Sequence, residues 1–346
     1  MVLVTGVSRH LGGRLAARLA ADTSIERVIG VDTVPPPREL RARLGRTEFV
    51  RADIRNPLIA KVIATAQVDT VVHLNITAVP RSAGGRASMK EMNVIGTMQL
   101  LAACQKSASV QRLVVKSSTA VYGSSSRDPA LFTEDMEPKQ LPRSGYAKDA
   151  VEVEGYVRGF SRRRPDVSVG VLRFTDVIGP GADGLLLRYL RLPVVPTVLG
   201  FDPRVQLLHA EDALEVLRRA TVSGFGGTVN VGGEGVLLLS QLIRRAGRVP
   251  VPVPAPAVRV AGRAVRRAGL LDDTREQLRF LEFGRVVDTT RLRTGFGYTP
   301  RYDTVRAFDA VVRDSRLPLR IPPEAVRRAE RGVAGAVHAL AGGRDG

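Results

Sequence analysis

The first 32 residues constrain the fold of this chain more than any other stretch. An apolar, β-prone run at residues 1–4 is broken by Gly6, and leucines then recur at four-residue spacing. That spacing predicts a helix. A second apolar run at residues 28–31 ends on Asp32. A strand, a glycine turn, a helix and a strand closed by an acidic residue are typical of the βαβ unit of dinucleotide-binding folds.

The loop after the first strand keeps two glycines of a G-x-x-G-x-x-G pattern, Gly6 and Gly12, and places Arg9 at the middle position. Gly6 permits a tight turn, and the free N–H groups of the following helix favour a pyrophosphate. Arg9 either reaches over the phosphates as a cation or marks a unit that has lost tight cofactor binding. Asp32 is expected to accept hydrogen bonds from the adenosine ribose. The loop residues expected at the cofactor are Gly6, Arg9, His10, Leu11 and Gly12.

Length and composition suit a large globular protein. The chain has 346 residues, of which 44% are hydrophobic, so we expect two domains or one domain with an appendage. No apolar run approaches the ~20 residues that span a bilayer, and we expect no leader before the first strand. Cys104 is the only cysteine. A cytoplasmic, reducing location is therefore predicted. The four histidines lack clustered cysteine or carboxylate partners, so we predict no metal site.

The formal net charge of +18 favours anionic ligands or surfaces. Tryptophan is absent, and no helix-turn-helix or zinc-finger pattern occurs, so no specific nucleic-acid partner is predicted. Residues 322–340 carry apolar side chains at three- and four-residue steps with arginines between them. This pattern predicts a basic amphipathic helix. It either packs on its own domain or lies on an acidic membrane as a peripheral contact.

Strands alternate with helices through residue 177, which predicts an α/β fold with a doubly wound parallel sheet of the Rossmann type. Glycine and proline cluster from residue 178 onward. We therefore divide the chain into a dinucleotide-binding domain (1–177), a smaller C-terminal substrate-binding α/β part (178–315) and a basic tail (316–346). Within the second part, the sequence predicts a helix at residues 209–221 and an extended connector at residues 250–256.

Two further stretches carry candidate chemistry. Ser118 lies at the end of an apolar strand, and Tyr146 opens a helix. Parallel sheets gather functional groups at the carboxyl ends of their strands. A serine and a tyrosine at that edge would hydrogen-bond one substrate oxygen, with the tyrosine giving or taking a proton.

Taken together, the motifs resemble those of the extended short-chain dehydrogenase/reductase family of nucleotide-sugar epimerases and dehydratases. The matching pieces run along nearly the whole chain, in the family's order. They are Thr5-Gly6 with Gly12, Asp32, Asp53-Ile54, residues 71–74, residues 93–97, residues 117–123, Tyr146, residues 172–180 and residues 288–292.

The resemblance implies an NAD-dependent oxidoreductase that acts on a nucleotide-sugar or a similar hydroxyl substrate. It makes Ser118 the catalytic serine and Tyr146 the general acid/base. It also implies a homodimer formed through the two helices after the fourth and fifth strands. The implied cofactor contacts are Asp32 at the adenosine ribose, Asp53 and Ile54 at the adenine, Leu74 and Asn93 along the cofactor channel, and Thr175 beside the nicotinamide.

One position departs from the family pattern. The family's tyrosine is followed four residues later by a lysine, and this chain has Ala150 there. Lys148 projects to roughly the opposite helix face, so Tyr146 is expected to keep a pKa near its unperturbed ~10. Lys116 faces the same side of its strand as Ser118 and could supply the missing charge, although an isolated cation at a strand end is more often a surface residue.

Three functional hypotheses therefore stay open. The first is an NAD-dependent epimerase, dehydratase or related oxidoreductase. The second is a catalytically degenerate relative that binds a dinucleotide or nucleotide-sugar without turnover, as Arg9 and Ala150 suggest. The third is a basic peripheral protein held on acidic lipid or nucleic acid.

Overall fold

The computed structural model describes residues 1–78, 85–182, 184–192, 194–254, 275–313 and 324. The strands are β1 (Val2–Thr5), β2 (Val28–Asp32), β3 (Glu48–Arg51), β4 (Thr70–His73), β5 (Arg112–Ser118), β6 (Ser168–Phe174), β7 (Asp176–Ile178), β8 (Val194–Val198), β9 (Arg204–Val205), β10 (Leu207–His209), β11 (Gly227–Val231), β12 (Leu237–Leu238) and β13 (Val249–Val253).

The helices are α1 (His10–Ala21), α2 (Arg38–Arg41), α3 (Leu58–Thr65), α4 (Gly85–Lys90), α5 (Gly96–Lys106), α6 (Gly145–Arg163), α7 (Leu185–Leu190), α8 (Ala210–Ser223), α9 (Leu239–Arg245), α10 (Arg275–Phe283), α11 (Thr290–Thr294) and α12 (Thr304–Arg313). A π-helical turn (Glu91–Ile95) joins α4 to α5, and a 3-10 turn (Thr119–Tyr122) follows β5.

A seven-stranded sheet organises the molecule, with strand order β11-β6-β5-β4-β1-β2-β3. Every pairing within it is parallel. The strand order reverses direction between β1 and β4, and ligands bind at such a switch point outside the carboxyl ends of the strands. The predicted doubly wound Rossmann-type α/β fold is confirmed.

Both faces of the sheet are buried, which explains the nearly continuous apolar sequence of its strands. On one face, Leu15 and Leu19 of α1 join Leu214 and Leu217 of α8 in one apolar cluster. On the other face, side chains of α3, α5 and α6 form a second cluster with the sheet. This packing fixes the carboxyl ends of β1, β4 and β5 along one edge.

The remaining strands form three two-stranded pairs, β7 with β10, β9 with β12, and β8 with β13, in the described part of the chain. A separate apolar cluster joins α7, α9 and α12 to these pairs. Strand β11 belongs to the large sheet, and α8 packs on one face of it. The chain therefore returns to the large sheet within the 178–315 segment.

Two predicted elements take a more specific form. The predicted helix at 209–221 is α8, which starts at Ala210 because His209 is its N-cap residue and accepts the Glu211 N–H. Residues 250–253 of the predicted proline-rich connector are extended as part of β13, which pairs in parallel with β8, and residues 255 and 256 lie outside the described residues. The predicted tail helix at 322–340 lies outside the described residues, apart from position 324. Among the helices that can be described, none has the length and apolarity that crossing a bilayer requires.

Candidate functional site

The turn after β1 is tightly closed. Gly6 has φ of +78°, which glycine adopts without strain. A Cβ on Gly12 would overlap the carbonyl oxygen of Gly6, so only glycine lets the start of α1 lie so close to the turn. Arg9 is the N-cap residue of α1 in extended backbone, with φ −94° and ψ 151°. The arginine at the usual glycine position therefore carries no backbone strain.

The side chains of Arg9 and His10 both enter the cleft above this turn. Arg9 Nη1 donates a hydrogen bond to Thr77 Oγ1 at 2.9 Å, which carries the guanidinium across to the segment after β4. His10 packs on Gly181, where a Cβ would overlap the imidazole. The first loop thus contacts the segment that follows β7.

Asp32 ends β2 beside the same turn. Its carboxylate accepts the Ser8 N–H at 3.0 Å and the Thr33 N–H at 2.8 Å. Only 6% of Asp32 is exposed. These backbone donors fix the carboxylate at the strand terminus that the sequence predicted for a ribose contact.

A cleft of about 400 Å³ opens at the carboxyl edge of the sheet. It gathers residues from the first turn and the start of α1, from the segment after β4, and from β5, α6 and β6 of the Rossmann part, and from α7 and α10 of the smaller part. The predicted site residues that line it are Arg9, His10, Leu11, Gly12, Leu74, Ser118, Tyr146 and Thr175. The structure thus brings both candidate catalytic residues into one space with the first loop.

Five predicted cofactor residues lie outside the lining of this cleft: Gly6 and Asp32, described above, and Asp53, Ile54 and Asn93. Asp53 pairs with Arg55 at 2.6 Å, and that hydrogen-bonded guanidinium lowers the pKa of Asp53. Ile54 is 1% exposed and packs where α5 begins. Asn93 is fully buried and bonds both the N–H and the C=O of Thr77, at 3.0 and 2.9 Å. Asn93 therefore holds in place the segment that Arg9 reaches, and a direct cofactor contact stays a prediction for all five residues.

Ser118 and Tyr146 both line the cleft, and the Ser118 hydroxyl lies near enough to the Tyr146 phenol to lower its pKa. Burial raises the pKa of Tyr146 to about 12, and the Ser118 hydroxyl and the Arg285 charge offset only part of this rise. The expectation of an ordinary tyrosine pKa was therefore too low, because the sequence does not reveal how completely the phenol is covered. At neutral pH Tyr146 is a proton donor.

Lys116 lies in the cleft and not on the surface where an isolated strand-end cation is more often found. Burial and the nearby charge of Arg9 lower the pKa of Lys116 to about 8. The charges that act on Tyr146 come instead from Asp176, Arg285 and Asp149. Lys116 is thus a neighbour of the first loop, and its charge is not among those that shift the Tyr146 pKa.

Sequence reasoning missed three charged residues of the cleft, Asp176, Glu276 and Arg285. Burial raises the pKa of Asp176, and the Arg285 charge opposes that rise. The Arg285 Nη1 donates to the carbonyl oxygen of Gly123 at 2.9 Å, and its guanidinium carbon lies 5.1 Å from the centre of the Phe280 ring. The available signals were weak: Asp176 directly follows Thr175, and Arg285 stands three residues before the matched motif at 288–292.

A buried polar network supports the strand end that carries Ser118. Ser117 Oγ donates to Glu154 Oε1 at 2.6 Å, and Arg173 Nη2 meets Glu154 Oε2 at 2.7 Å. Arg173 Nη1 also donates to the Tyr122 hydroxyl at 2.8 Å. These bonds join β5, α6 and β6 directly behind the cleft.

Several features of the cleft fit a dinucleotide. The Gly6 turn and the Gly12 approach leave the start of α1 open to a pyrophosphate, and Arg9 and Lys116 add positive charge beside it. Thr175 is 6% exposed, and its Oγ1 has no hydrogen-bond partner among the residues that the structure describes. Within those same residues, no group of three or more His, Cys, Asp or Glu side chains is arranged to hold a metal.

Comparisons with known proteins give close and distant relatives. The chain is 51% identical over 327 residues to Uncharacterized protein Rv0501 of Mycobacterium tuberculosis, which covers 94% of this chain and 87% of that protein. It is 27% identical over 196 residues to a probable UDP-arabinose 4-epimerase 3 of Oryza sativa subsp. japonica, which covers 54% of this chain and 46% of that one.

Solved structures share the fold. MoeE5 in complex with UDP-glucuronic acid and NAD superimposes with a TM-score of 0.66 at 23% identity, over 92% of this chain and 99% of that one. A UDP-glucose 4-epimerase from Thermotoga maritima gives 0.71 at 19% identity, over 90% and 97%. At such identities these likenesses concern the fold alone.

The sequence model of the NAD dependent epimerase/dehydratase family matches residues 2–232, which include the first turn, β5, the start of α6 and the Thr175 segment. The match confirms the predicted family, and NAD is the cofactor on which that family depends. This chain therefore belongs to the NAD-dependent epimerase/dehydratase family.

Proposed function

We propose that this protein is an NAD-dependent oxidoreductase that interconverts a hydroxyl and a carbonyl group on a small-molecule substrate. The observation that carries the proposal is the placement of Ser118 and Tyr146 together in the cleft that also contains the first loop. A serine and a tyrosine so placed offer one substrate oxygen two hydrogen bonds and a proton. Relatives that bind UDP-glucuronic acid or UDP-glucose make a nucleotide-sugar the first substrate class that the family suggests.

Different residues of the chain would hold different parts of the cofactor. Asp32 would hold the adenosine ribose, the N-terminus of α1 would face the pyrophosphate, and Arg9 with Lys116 would neutralise its charge. Thr175 Oγ1, which has no hydrogen-bond partner in the described part of the chain, would serve the nicotinamide end. When bound, NAD supplies a carbon that accepts or returns a hydride.

Tyr146 has a defined task in this reaction. Because its pKa is about 12, the phenol is protonated at neutral pH and is ready to give its proton to a carbonyl oxygen as that carbonyl is reduced. Ser118 donates to the same oxygen and keeps it beside the phenol. In the opposite direction, Tyr146 must first lose its proton, so we expect oxidation to be the slower direction at neutral pH.

NADH absorbance during reaction with a panel of nucleotide-sugars, alcohols and ketones tests this proposal. Turnover with any of them supports an oxidoreductase. Calorimetric titration of NAD gives the second readout: binding without any turnover favours the catalytically degenerate relative, and the absence of both would contradict the proposal.

Replacing Asp32 with alanine is expected to weaken NAD binding roughly 10- to 100-fold, because a hydrogen bond to a charged group contributes about 1.5–3 kcal/mol. The carboxylate ends β2 beside the first turn, and alanine would leave the ribose hydroxyls without their acceptor. Calorimetric titration measures the change. The Glu39→Ala variant, at an exposed position of nearby α2, is the control and should bind NAD as the wild type does.

The affinity for NAD is expected to fall as the pH rises through about 8, because Lys116 loses its proton there and no longer attracts the pyrophosphate. Binding of the anion favours the protonated amine, so NAD binding near this pH should be accompanied by proton uptake at Lys116. Titrations at several pH values in buffers of different ionisation enthalpy measure both effects. The Lys116→Met variant should lose the pH dependence, whereas Lys148→Met, which removes an exposed lysine near Glu152, should keep it.

Two further predictions remain part of the proposal. A homodimer would use α5 and α6, the helices that follow β4 and β5 in the Rossmann part. Analytical ultracentrifugation tests this assembly. A cytoplasmic location is the second, and cell fractionation tests it.

A further inference from the structure

Charge is divided unevenly along the cleft. Arg9 and Lys116 line the cleft from the first turn and from β5. The part of the lining that comes from β7, α7 and α10, which we call the substrate half, includes Val177, Leu185, Leu186, Tyr189, Phe280 and Leu281. The charged side chains described beside it are Asp176, Glu276 and Arg285, so acidic groups outnumber basic ones there.

The one described cation of the substrate half is already engaged. Arg285 donates to Thr119 Oγ1 at 3.3 Å and to the carbonyl oxygen of Gly123 at 2.9 Å, and it lies over the ring of Phe280. It also interacts electrostatically with Asp176. These contacts hold the Arg285 guanidinium against the wall of the cleft.

The aromatic and aliphatic side chains present mainly carbon to the cleft. The Tyr189 hydroxyl donates a hydrogen bond to the backbone carbonyl of Pro196, a residue outside the cleft lining. The ring of Tyr189 is therefore the part that remains for a ligand. Phe280 and Leu281 come from α10, and Leu185 and Leu186 from α7. Two helices thus give an apolar wall to the cleft that contains Ser118 and Tyr146.

We propose that the substrate of this site is an uncharged, largely apolar secondary alcohol or ketone, and not a nucleoside-diphosphate sugar. The proposal deepens the proposed function and rests on it for the chemistry at Ser118 and Tyr146. A diphosphate would bring two negative charges toward Asp176 and Glu276, and like charges placed together exclude a ligand. An alkyl or ring skeleton would instead remove apolar surface from water on both sides.

The test uses the full chain loaded with NAD and a series of straight-chain secondary alcohols from butanol to decanol. Binding is measured by ligand-observed NMR and calorimetry, and turnover by NADH absorbance. We expect the affinity to rise about three- to fourfold for each added methylene until the cleft is filled. Millimolar UDP or UDP-glucose should not displace the alcohols. A flat series, or UDP binding more tightly than the alcohols, would overturn the proposal.

The two readouts separate this inference from the function on which it rests. Alcohol binding without NADH formation would support the apolar substrate half and contradict the oxidoreductase. Turnover with a nucleotide-sugar alone would support the oxidoreductase and contradict the apolar substrate.

A matched pair of variants on α10 places the binding in the substrate half. Phe280→Ala removes a ring from the cleft and should weaken binding of the longest alcohol by about tenfold. Phe283 lies on the same helix as Phe280, packs edge-on against Phe201 and does not line the cleft. The Phe283→Ala variant should therefore leave that affinity unchanged. Equal losses in both variants would contradict the assignment.

Discussion

Replacing Tyr146 with phenylalanine is expected to lower the rate of hydride transfer about 10²- to 10⁴-fold, the usual contribution of a positioned acid or base. The change deletes one hydroxyl, which lies near Ser118, and leaves the buried ring in place. NAD should therefore still bind. Single-turnover measurement of the NADH signal gives the rate of the chemical step, and calorimetry gives the affinity.

Tyr156 provides the matched control for this substitution. It lies on the same helix, α6, and is 40% exposed. The Tyr156→Phe variant should react at the wild-type rate. Because the pKa of Tyr146 is about 12, carbonyl reduction should also show no loss from this group as the pH rises from neutral to about 10. A Tyr146→Phe variant that reduces substrate as fast as the wild type would exclude the phenol as the acid.

Replacing Arg173 with methionine is expected to lower the free energy of unfolding by about 3–5 kcal/mol, because it leaves a buried carboxylate without its main partner. The Arg173 and Glu154 side chains are 11% and 5% exposed and meet at 2.7 Å. Urea unfolding measures the loss. Methionine keeps most of the side-chain volume, so the effect reports the charge and its hydrogen bonds.

Arg158 approaches the same carboxylate from the solvent side and serves as the control. Its guanidinium lies 3.8 Å from Glu154 and is 63% exposed. Arg158→Met should therefore cost no more than about 1 kcal/mol. Replacing both Arg173 and Glu154 with methionine should recover part of the stability that the first variant loses. If Arg173→Met and Arg158→Met cost the same, the buried network behind β5 does not stabilise the fold as described.

The sequence predicted those parts of the fold that depend on local pattern. Gly6, the helix after it and Asp32 lie within one contiguous stretch, and each has a short-range physical reason for its place. Ser118 and Tyr146 are 28 positions apart, yet the rule that parallel strands gather groups at their carboxyl ends brought them together in advance.

The features that the sequence did not predict depend on burial by distant parts of the chain. The pKa of Tyr146 and that of Lys116 both depart from ordinary values because other segments cover them. Strand periodicity gave the side of β5 on which Lys116 lies, but it could not tell whether that side is covered. Arg285 reaches the cleft through contacts with Thr119 and Gly123, more than 160 positions earlier in the chain.

The central claim is that NAD lies across the carboxyl edge of the sheet, with its pyrophosphate over the first turn. A crystal structure of the wild-type chain with NAD tests it most directly. We predict the adenosine ribose hydrogen-bonded to Asp32, the pyrophosphate at the N-terminus of α1, and the nicotinamide between Tyr146 and Thr175. NAD bound elsewhere, or a cleft that the Arg9 and His10 side chains keep closed to it, would contradict the account.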